Sequence, residues 1–203
     1  MFSGLVREIA TVRDLQNNIL TLQAQYQPKI GDSIAVNGVC LTVISTSNNY
    51  FSLELSQETQ KNIAIENYKK YVHIEPALTL QDRLDGHIVQ GHIDGIGEIA
   101  SIKNNANQIE FIIQAPQNIL LLCVPKGSIS IDGISLTLTA IYKDSFKLVI
   151  IPHTYKNTLF HTYKIRQRVN IETDMFVRSI YHLLTRQQKS MSWLDFDSQA
   201  LGF

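Results

Sequence analysis

The sequence has few of the features that mark secreted, membrane or nucleic-acid-binding proteins. Only two cysteines, Cys40 and Cys123, occur among its 203 residues, which is too few for a disulfide framework. The longest apolar run, from Ile119 to Pro125, is far too short to span a bilayer. Eighteen basic residues balance eighteen acidic ones, so no overall field attracts nucleic acid or an anionic membrane. The first residues form neither a signal peptide nor a myristoylation site. We therefore expect a cytoplasmic protein with reduced thiols and no nucleic-acid or membrane partner.

Two further absences narrow the range of functions. No glycine-rich strand–turn–helix fingerprint occurs, which argues against a flavin reductase with its own nicotinamide-binding domain. His87 and His92 are five residues apart, a spacing that fits neither a helical zinc pair nor a zinc finger, so we expect no metal. The hydrophobic fraction of 44% is enough for a folded core, and the length allows one domain or two small ones.

An internal repeat favours two domains over one. Four segments recur in the same order, with offsets of 90 to 97 residues that drift along the chain. The matched pairs are Glu8–Val12 with Glu98–Ile102 (offset 90), Ser33–Val43 with Ser128–Leu138 (95), Phe51–Thr59 with Phe146–Thr154 (95) and Val72–Glu75 with Val169–Glu172 (97). On this alignment Met1–Gly4 corresponds to Gly91–Asp94. The pattern predicts a duplicated domain of about 95 residues.

Each repeat reads as a series of short β-strands. Alternating residues flank Asn37-Gly38 in the first repeat and Asp132-Gly133 in the second, and such dipeptides are a strong signal for a two-residue hairpin. Further strands are predicted at Ile19–Leu22, Tyr50–Leu55, Ile109–Ile113 and Phe146–Ile151. About six strands per repeat predict two small closed antiparallel barrels, a mainly β protein.

The C-terminal part has a different period. Apolar residues fall at helical spacing from Asp174 to about Gln188, with Asp174 as the N-cap. This helix has no counterpart in the first repeat, so its apolar stripe must either cover a barrel or meet copies of itself in an oligomer. The segment after Lys189 is too short to form a core of its own.

Two rows of short polar side chains stand out on the hairpins. Because side chains alternate along a strand and a small barrel fills its interior with apolar groups, Cys40 and Thr42 should point outward, as should Ser135 and Thr137. Such a row is either a plain solvated face or a surface on which a flat ligand can lie. The equivalence of the two rows favours two similar ligand faces. His87 and His92 are either structural groups at the link between the barrels or proton shuttles.

Taken together, five motifs resemble the riboflavin synthases of the trimeric, two-barrel type. They are Met1–Gly4, Val36–Val43, Gly86–Asp94, Ile131–Leu138 and Val169–Asp174, and the similarity extends from Met1 to about Gln188. The resemblance implies tandem six-stranded Greek-key barrels and a homotrimer held by C-terminal helices. It divides the chain into a barrel at 1–86, a barrel at 87–173, a trimerisation helix at 174–188 and a tail at 189–203.

The resemblance also implies an activity. The family converts two molecules of 6,7-dimethyl-8-ribityllumazine into riboflavin and 5-amino-6-ribitylaminouracil by transfer of a four-carbon unit. No cofactor takes part, and the active site lies between the first barrel of one subunit and the second barrel of a neighbour. Lumazine synthase is a candidate partner in a larger biosynthetic assembly.

Site residues follow from the resemblance by motif. The catalytic candidates are Cys40 as a nucleophile or acceptor-site residue, His92 and Ser135 for proton handling, Asp174 as an anchor and, more weakly, Ser33. Binding candidates in the first barrel are Gly4, Leu5, Val6, Cys40, Leu41, Thr42, Glu54, Leu55, Ser56, Gln57, Glu58 and Thr59. Those in the second barrel are His92, Ile93, Asp94, Lys126, Ser135, Leu136, Thr137, Ile150, Ile151, Pro152, His153, Thr154 and Tyr155.

The sequence departs from the family pattern at three places, since the family has Asn-Leu-Glu-Arg at His73–Pro76, Gly at Asp85 and Glu at His153. These departures affect linker or ligand-edge positions. The main competing interpretation is a non-catalytic lumazine-binding antenna protein with the same two barrels. The retention of Lys126, Ser135 and Thr137 in the second barrel argues against it.

Overall fold

The first half of the chain folds into a closed barrel of six antiparallel strands. The computed structural model describes residues 1–105 and 107–186. The strands are β1 (Glu8–Gln16), β2 (Ile19–Gln23), β3 (Ser33–Val36), β4 (Val39–Ser47), β5 (Tyr50–Glu54) and β6 (Tyr71–Pro76). They are hydrogen-bonded in the order β1-β2-β5-β4-β3-β6, with β6 returning to β1. A cluster of buried aliphatic and aromatic side chains fills the interior. The predicted β class and six-stranded barrel are confirmed.

The second half repeats this barrel. Its strands are β7 (Gly95–Asn105), β8 (Gln108–Gln114), β9 (Ser128–Ile131), β10 (Ile134–Ile141), β11 (Ser145–Ile150) and β12 (Arg168–Thr173). Read from β7, the order is β7-β8-β11-β10-β9-β12, which is the order of the first barrel with every label advanced by six. A second buried cluster occupies this barrel. Each barrel therefore has its own hydrophobic core.

Short helices bridge the strands at equivalent places. Helix α1 (Gln57–Lys61) follows β5, and helix α3 (Pro152–Asn157) follows β11. Helix α2 (Gln117–Leu120) is found only in the second barrel, between β8 and β9. Within the described residues, no helix is both long enough and apolar enough to cross a membrane.

Both predicted hairpin turns lie where the two barrels meet. Asn37 and Gly38 have φ angles of 44° and 80°, and Asp132 and Gly133 have 44° and 83°. Two consecutive positive φ values are those of a type I′ turn, which explains the Asn-Gly and Asp-Gly sequences. The turns face each other so closely that a Cβ on Gly38 would lie 2.7 Å from the Gly133 nitrogen, and the reverse contact would be 2.8 Å. Only glycine fits at this contact.

Strand register corrects one part of the predicted repeat. Ser33 pairs with Thr42 and Ser128 with Thr137, which confirms the offset of 95 there. Ile9, however, pairs with His73 as Ile96 pairs with Asn170, so β1 and β7 are related by an offset of 87 rather than 90. The predicted match of Glu8–Val12 with Glu98–Ile102 was therefore wrong. A slip by three residues, an odd number, exchanges the two faces of a strand, and only the pairing with neighbouring strands exposes it.

The barrels are joined by reciprocal hydrogen bonds from β6 and β12. The Asn170 amide donates to the backbone oxygen of Asn37 at 2.9 Å, and the His73 ring nitrogen Nδ1 lies 3.1 Å from the backbone oxygen of Asp132. Within each barrel, the turn side chain accepts from the strand: Asn37 from the His73 N–H and Asp132 from the Asn170 N–H, both at 2.8 Å. All four residues are buried. His73 thus takes the place in the first barrel that Asn170 has in the second.

The contacts of His73 also fix its tautomer. A carbonyl oxygen only accepts, so Nδ1 carries the proton, and the Leu159 N–H donates to the bare Nε2 at 2.7 Å. The side-chain amide of Asn170 makes the equivalent pair of contacts, since its nitrogen donates to Asn37 and its Oδ1 accepts from the Ala64 N–H at 2.7 Å. Full burial lowers the pKa of His73 from 6.5 to about 4. The neutral imidazole therefore acts as an amide at this departure from the family pattern.

The Asp132 carboxyl lies at the same joint and makes no salt bridge with any of the residues that the structure describes. It accepts from the Tyr163 hydroxyl at 2.6 Å as well as from the Asn170 N–H. Burial raises its pKa to about 7, although both hydrogen bonds oppose the change. Asp132 therefore holds its proton more tightly than an exposed aspartate, while His73 and the asparagines at this joint are uncharged near pH 7.

A C-terminal helix follows the second barrel. Helix α4 spans residues 175–186, and Asp174 caps it by accepting from the N–H groups of Phe176 and Val177 at 2.8 and 3.3 Å. The predicted N-cap is confirmed, while residues 187–188 and the tail 189–203 lie outside the described residues. Large apolar side chains on α4 are exposed, namely Phe176 (56%), Ile180 (57%), Leu183 (62%) and Leu184 (57%). The stripe therefore does not cover either barrel of its own chain.

Candidate functional site

The two polar rows lie on the outer faces of the barrels, as predicted. Leu41 is buried in the first core, whereas Cys40 is partly exposed and Thr42 is exposed. In the second barrel Ser135 is partly exposed and Thr137 exposed. We refer to the outer surface around Cys40 as the Cys40 face and to its equivalent around Ser135 as the Ser135 face.

Each face is bordered by the stretch of chain just before the first strand of the other barrel. These two stretches are residues 1–7, before β1, and residues 88–94, before β7, and we call them the leading segments. The Cys40 N–H donates to the Gly91 oxygen at 2.9 Å, and the Ser135 N–H donates to the Gly4 oxygen at 2.7 Å. Gly91 has a φ of +82° and Gly4 of +76°. A Cβ on Gly91 would lie 2.5 Å from the Cβ of Cys40, and one on Gly4 would lie 2.6 Å from the Cβ of Ser135. Close approach and positive φ both require glycine at these two positions.

This exchange corrects the predicted grouping by barrel. Gly4 lies against the second barrel, where Val6 also packs on the core, and Ile93 packs on the core of the first. It also corrects the predicted match of Met1–Gly4 with Gly91–Asp94, since Gly4 is the counterpart of Gly91. From the sequence alone, each leading segment is assigned to the barrel that follows it. In the folded chain each one instead lies against the other barrel.

A buried carboxylate holds each leading segment. Glu75 accepts from the backbone N–H groups of Ser3 (2.7 Å) and Gly4 (3.1 Å). Glu172 accepts from those of Gln90 (2.7 Å), Gly91 (2.9 Å) and His92 (3.1 Å). Burial raises the pKa of both carboxyls, that of Glu172 to about 7, although the hydrogen bonds oppose the change.

The Ser135 face contains a histidine–serine pair. Nδ1 of His87 lies 2.7 Å from the Ser135 hydroxyl oxygen. The other ring nitrogen, Nε2, is buried and is the one buried side-chain nitrogen or oxygen in the described residues without a hydrogen-bond partner. Burial lowers the pKa of His87, and the nearby Asp174 carboxylate partly opposes this. A largely neutral imidazole is suited to exchange a proton with the serine hydroxyl.

The Cys40 face is chemically different. Cys40 is a free, partly exposed thiol, and the exposed His92 belongs to the segment that borders it. At the offset of 87, the residue in the place of His92 on the other leading segment is the exposed Leu5. The two faces thus share a backbone frame but differ in their reactive groups.

Comparison with known proteins identifies the family. A model of the lumazine binding domain matches residues 3–77 and 90–174, one match per barrel. The riboflavin synthase of Actinobacillus pleuropneumoniae is 38% identical, with both chains fully covered. The chain belongs to the riboflavin synthase family. The riboflavin synthases of Photobacterium leiognathi, at 35% identity over 100% of this chain and 99% of that one, and of Bacillus subtilis, at 33% over 94% and 93%, are also similar.

Solved structures show the same fold at lower sequence identity. The crystal structure of LumP complexed with riboflavin superposes with a TM-score of 0.76 at 18% identity, covering 85% of this chain and 99% of that one. The structure of LumP complexed with 6,7-dimethyl-8-(1'-D-ribityl) lumazine gives a TM-score of 0.73, also at 18% identity. At this identity the likeness supports the fold alone.

The remaining candidate residues expected from the riboflavin synthase resemblance lie at equivalent points of the two barrels. Ser33 pairs with Thr42 beside Cys40 on the first barrel. Glu54–Thr59 runs from the end of β5 into α1, and Ile150–Tyr155 takes the equivalent path from β11 into α3. His153 is exposed there. Asp85 departs from the family pattern in the linker between the barrels, which we define as residues 77–87. It is exposed there and pairs with Arg83 at 3.0 Å.

Two acidic candidates are already engaged within the chain. Asp94 accepts through one carboxylate oxygen from the Thr173 N–H and hydroxyl, at 2.7 and 2.6 Å, and pairs through the other with Arg178. Asp174 caps α4. These carboxylates therefore fix the backbone around the faces in addition to any ligand contact.

Lys126 is held in an unusual conformation. Its φ is +65°, whereas the equivalent position in the first barrel is Gly31 with φ +91°. Both residues make the same backbone bond, Lys126 to Leu138 and Gly31 to Val43, each at 2.9 Å. A left-handed conformation costs about 1–2 kcal/mol for a residue with a side chain. The strained backbone motivates a functional hypothesis for Lys126, but Arg166 shares this feature with a φ of +71°.

Sequence reasoning missed four residues that shape the faces. His87 was considered only as a linker or shuttle histidine, without its serine partner. Glu75 and Glu172 carried a signal, since they are equivalent acids at the ends of two core strands. Phe2, fully buried against Ala35 with Cys40 nearby, belongs to the Met1–Gly4 motif but was given no role of its own.

Proposed function

We propose that this chain has riboflavin synthase activity and is a transferase that converts two molecules of 6,7-dimethyl-8-ribityllumazine into riboflavin and 5-amino-6-ribitylaminouracil. The observation that carries the proposal is the pair of equivalent outer faces in a chain that aligns end to end with riboflavin synthases. A reaction between two identical molecules needs two sites with the same binding frame. Because one lumazine gains the four carbons that the other loses, no external oxidant or reductant enters the balance.

The reacting groups differ between the two sites in a way that suits this chemistry. A methyl group of one lumazine must lose a proton, and a nucleophile adds transiently to the ring of the other. We assign proton handling to Ser135 with His87, whose side chains lie 2.7 Å apart, and to His92. Cys40, as a free thiol on the other face, is the candidate nucleophile. Lys126 and Thr137 are assigned to substrate binding.

The two faces require a second subunit to complete the reaction. Both are open outer surfaces in the single chain, and a groove of about 640 Å³ between Ser3–Arg7 and the linker is lined by neither Cys40 nor Ser135. We propose a homotrimer in which the first barrel of one subunit faces the second barrel of the next. The exposed apolar stripe of α4 supports this assembly, since four large side chains gain by burial. Stacking two bound lumazines supplies orientation, which contributes up to about 7–11 kcal/mol in favourable reactions.

The expected setting is the cytoplasm, with lumazine synthase as the partner that delivers substrate. Co-elution of the two purified proteins in gel filtration tests this partnership, and separate elution at micromolar concentration would count against it.

Anaerobic incubation of the purified protein with 6,7-dimethyl-8-ribityllumazine alone tests the activity. We expect riboflavin and the pyrimidine to appear in a ratio of one to one, without added cofactor, when products are resolved by chromatography. A Ser135→Ala variant is the control for chemistry on the second barrel. Tight lumazine binding without any riboflavin would refute the proposal and favour a non-catalytic lumazine-binding protein.

A further inference from the structure

Arg178 joins the C-terminal helix to the segment that borders the Cys40 face. It lies on α4, one turn after the N-cap, and its guanidinium has two arms in use. Nη1 pairs with the Asp94 carboxylate, and Nη2 donates to the Gln90 side-chain oxygen at 2.7 Å. Arg178 and Asp94 are partly buried, with 27% and 17% of their side chains exposed. One rigid, forked side chain therefore spans both ends of residues 90–94.

The residues between those two ends form the border of the Cys40 face. Gly91 accepts from the Cys40 N–H, and Ile93 packs against the core of the first barrel. Three consecutive N–H groups of the segment are already held by Glu172, and Asp94 is held by Thr173. With Arg178 added, the side-chain hydrogen bonds that hold the segment come from β12 and from the first turn of α4. A shift of α4 therefore acts on the border of the Cys40 face through Arg178.

Within residues 1–105 and 107–186, the Ser135 face has no such clamp. At the offset of 87, Arg7 stands in the place of Asp94, so the counterpart of the acid is a base. At the offset of 97, Pro76 stands in the place of Thr173, and it has no N–H to donate. β6 is followed by the linker and not by a helix. The side-chain link to the C-terminal helix is therefore found at the Cys40 face and not at the Ser135 face, among the described residues.

We propose that Arg178 is a positioning residue for the Cys40 face, through which the seating of α4 sets the geometry of one lumazine site but not of the other. The proposal rests on the proposed function for its consequence on catalysis, but its structural part stands on the contacts alone. Because α4 also carries the exposed apolar stripe, assembly of subunits through α4 is communicated to the Cys40 face. Arg178 does not touch the substrate in this account.

Alkylation of Cys40 measures the clamp without reference to activity. The full chain is treated with N-ethylmaleimide, and the labelling rate of each cysteine is followed by peptide mass spectrometry. Burial raises the pKa of Cys123 to about 11, so this slow thiol serves as an internal reference. For Arg178→Ala we expect Cys40 to react about tenfold faster, because losing a charge-assisted hydrogen bond opens the segment by about that factor. The Cys123 rate should stay unchanged.

Two further variants separate positioning from general damage. Arg168→Ala removes a more exposed arginine–carboxylate pair, to Glu66, outside the segment, and is expected to leave the Cys40 rate as in the wild type. Arg178→Lys keeps the charge but not the fork, so it should restore part of the slow labelling. If Arg178→Ala does not fold, Gln90→Met cuts one arm of the fork and should raise the Cys40 rate by a smaller factor. Unchanged Cys40 labelling in the folded variants, or an equal rise in Arg168→Ala, would overturn the proposal.

Kinetics then connect the clamp to catalysis. We expect Arg178→Ala to lower kcat/KM for riboflavin formation about tenfold and Arg178→Lys to recover part of the loss, while Arg168→Ala stays near the wild-type value. A wild-type protein that makes no riboflavin would defeat the proposed function, yet the labelling rates would still decide the role of Arg178. Normal kcat/KM in Arg178→Ala together with faster Cys40 labelling would refute the link to catalysis.

Discussion

Replacing His73 by asparagine should change how the stability of the protein depends on pH. The neutral ring bridges the two barrels, with Nδ1 donating to Asp132 and Nε2 accepting from the Leu159 N–H. If Nε2 were protonated, its N–H and the Leu159 N–H would point at each other with no acceptor between them, in a buried site. The folded state therefore resists protonation, and the pKa falls from 6.5 to about 4. Asparagine, which already fills the equivalent place at Asn170, has no proton to gain.

The size of the effect follows from this change in pKa. Between pH 6.5 and pH 4 the unfolded chain takes up a proton at residue 73 that the folded chain does not. Stability is therefore lost as the pH falls, by about 1.4 kcal/mol per pH unit. The loss is close to zero at pH 7, about 2 kcal/mol at pH 5, and about 3 kcal/mol once the pH is below 4. His73→Asn should gain this much relative to the wild type on acidification.

Urea unfolding at fixed protein concentration between pH 5 and pH 7.5 provides the assay. The quantity to compare is the difference in the free energy of unfolding between variant and wild type. Asp132 and Glu172, whose pKa values are raised to about 7, make stability fall as the pH rises, but both proteins keep them and their contributions cancel. The exposed His153, replaced by asparagine, is the matched control. A difference between His73→Asn and wild type that does not change with pH would refute the reasoning.

Three further predictions concern the faces and the helix. Gly91→Ala should lower the free energy of unfolding by about 3 kcal/mol or more and lower activity, because its Cβ would collide with Cys40. Gly31→Ala should lower it by only about 1 kcal/mol, since Gly31 has a similar φ but open space around it; urea unfolding compares the two. Lys126→Gly should keep or raise stability, by no more than about 1 kcal/mol, while weakening lumazine binding in a fluorescence titration; unchanged affinity would remove lysine from the site. Ile180→Glu should shift the mass measured by light scattering towards the monomer, and His182→Glu, on the other side of the helix, should not.

The barrels were predictable because their signals are local. Alternation around Asn37-Gly38 and Asp132-Gly133 fixes two hairpins, and turn chemistry requires no knowledge of the rest of the fold. The Asp174 cap and the helical period after it are local in the same sense. The duplication itself was visible because three of the four repeated segments keep their true register.

The faces were only partly predictable, because their borders come from distant sequence. The Gly91 contact with Cys40 and the Gly4 contact with Ser135 link residues of opposite repeats, and no spacing within either repeat encodes them. The offset of 87 was hidden by a chance resemblance around Glu8 and Glu98, where matching residue types favour the wrong register. The partner of His87 was likewise invisible, since 48 residues separate it from Ser135.

The crossing of the leading segments bears on how such a chain diverges. If each barrel were a separate chain and two identical copies exchanged their leading segments, every substitution would occur on both faces. In a single chain the two copies change independently, so His73 can stand opposite Asn170, and Cys40 and His92 can stand where the other face has Ser135 and Leu5. Fusion therefore allows the two faces to carry different reactive groups on the same backbone frame, while each face is still bordered by the segment that precedes the other barrel.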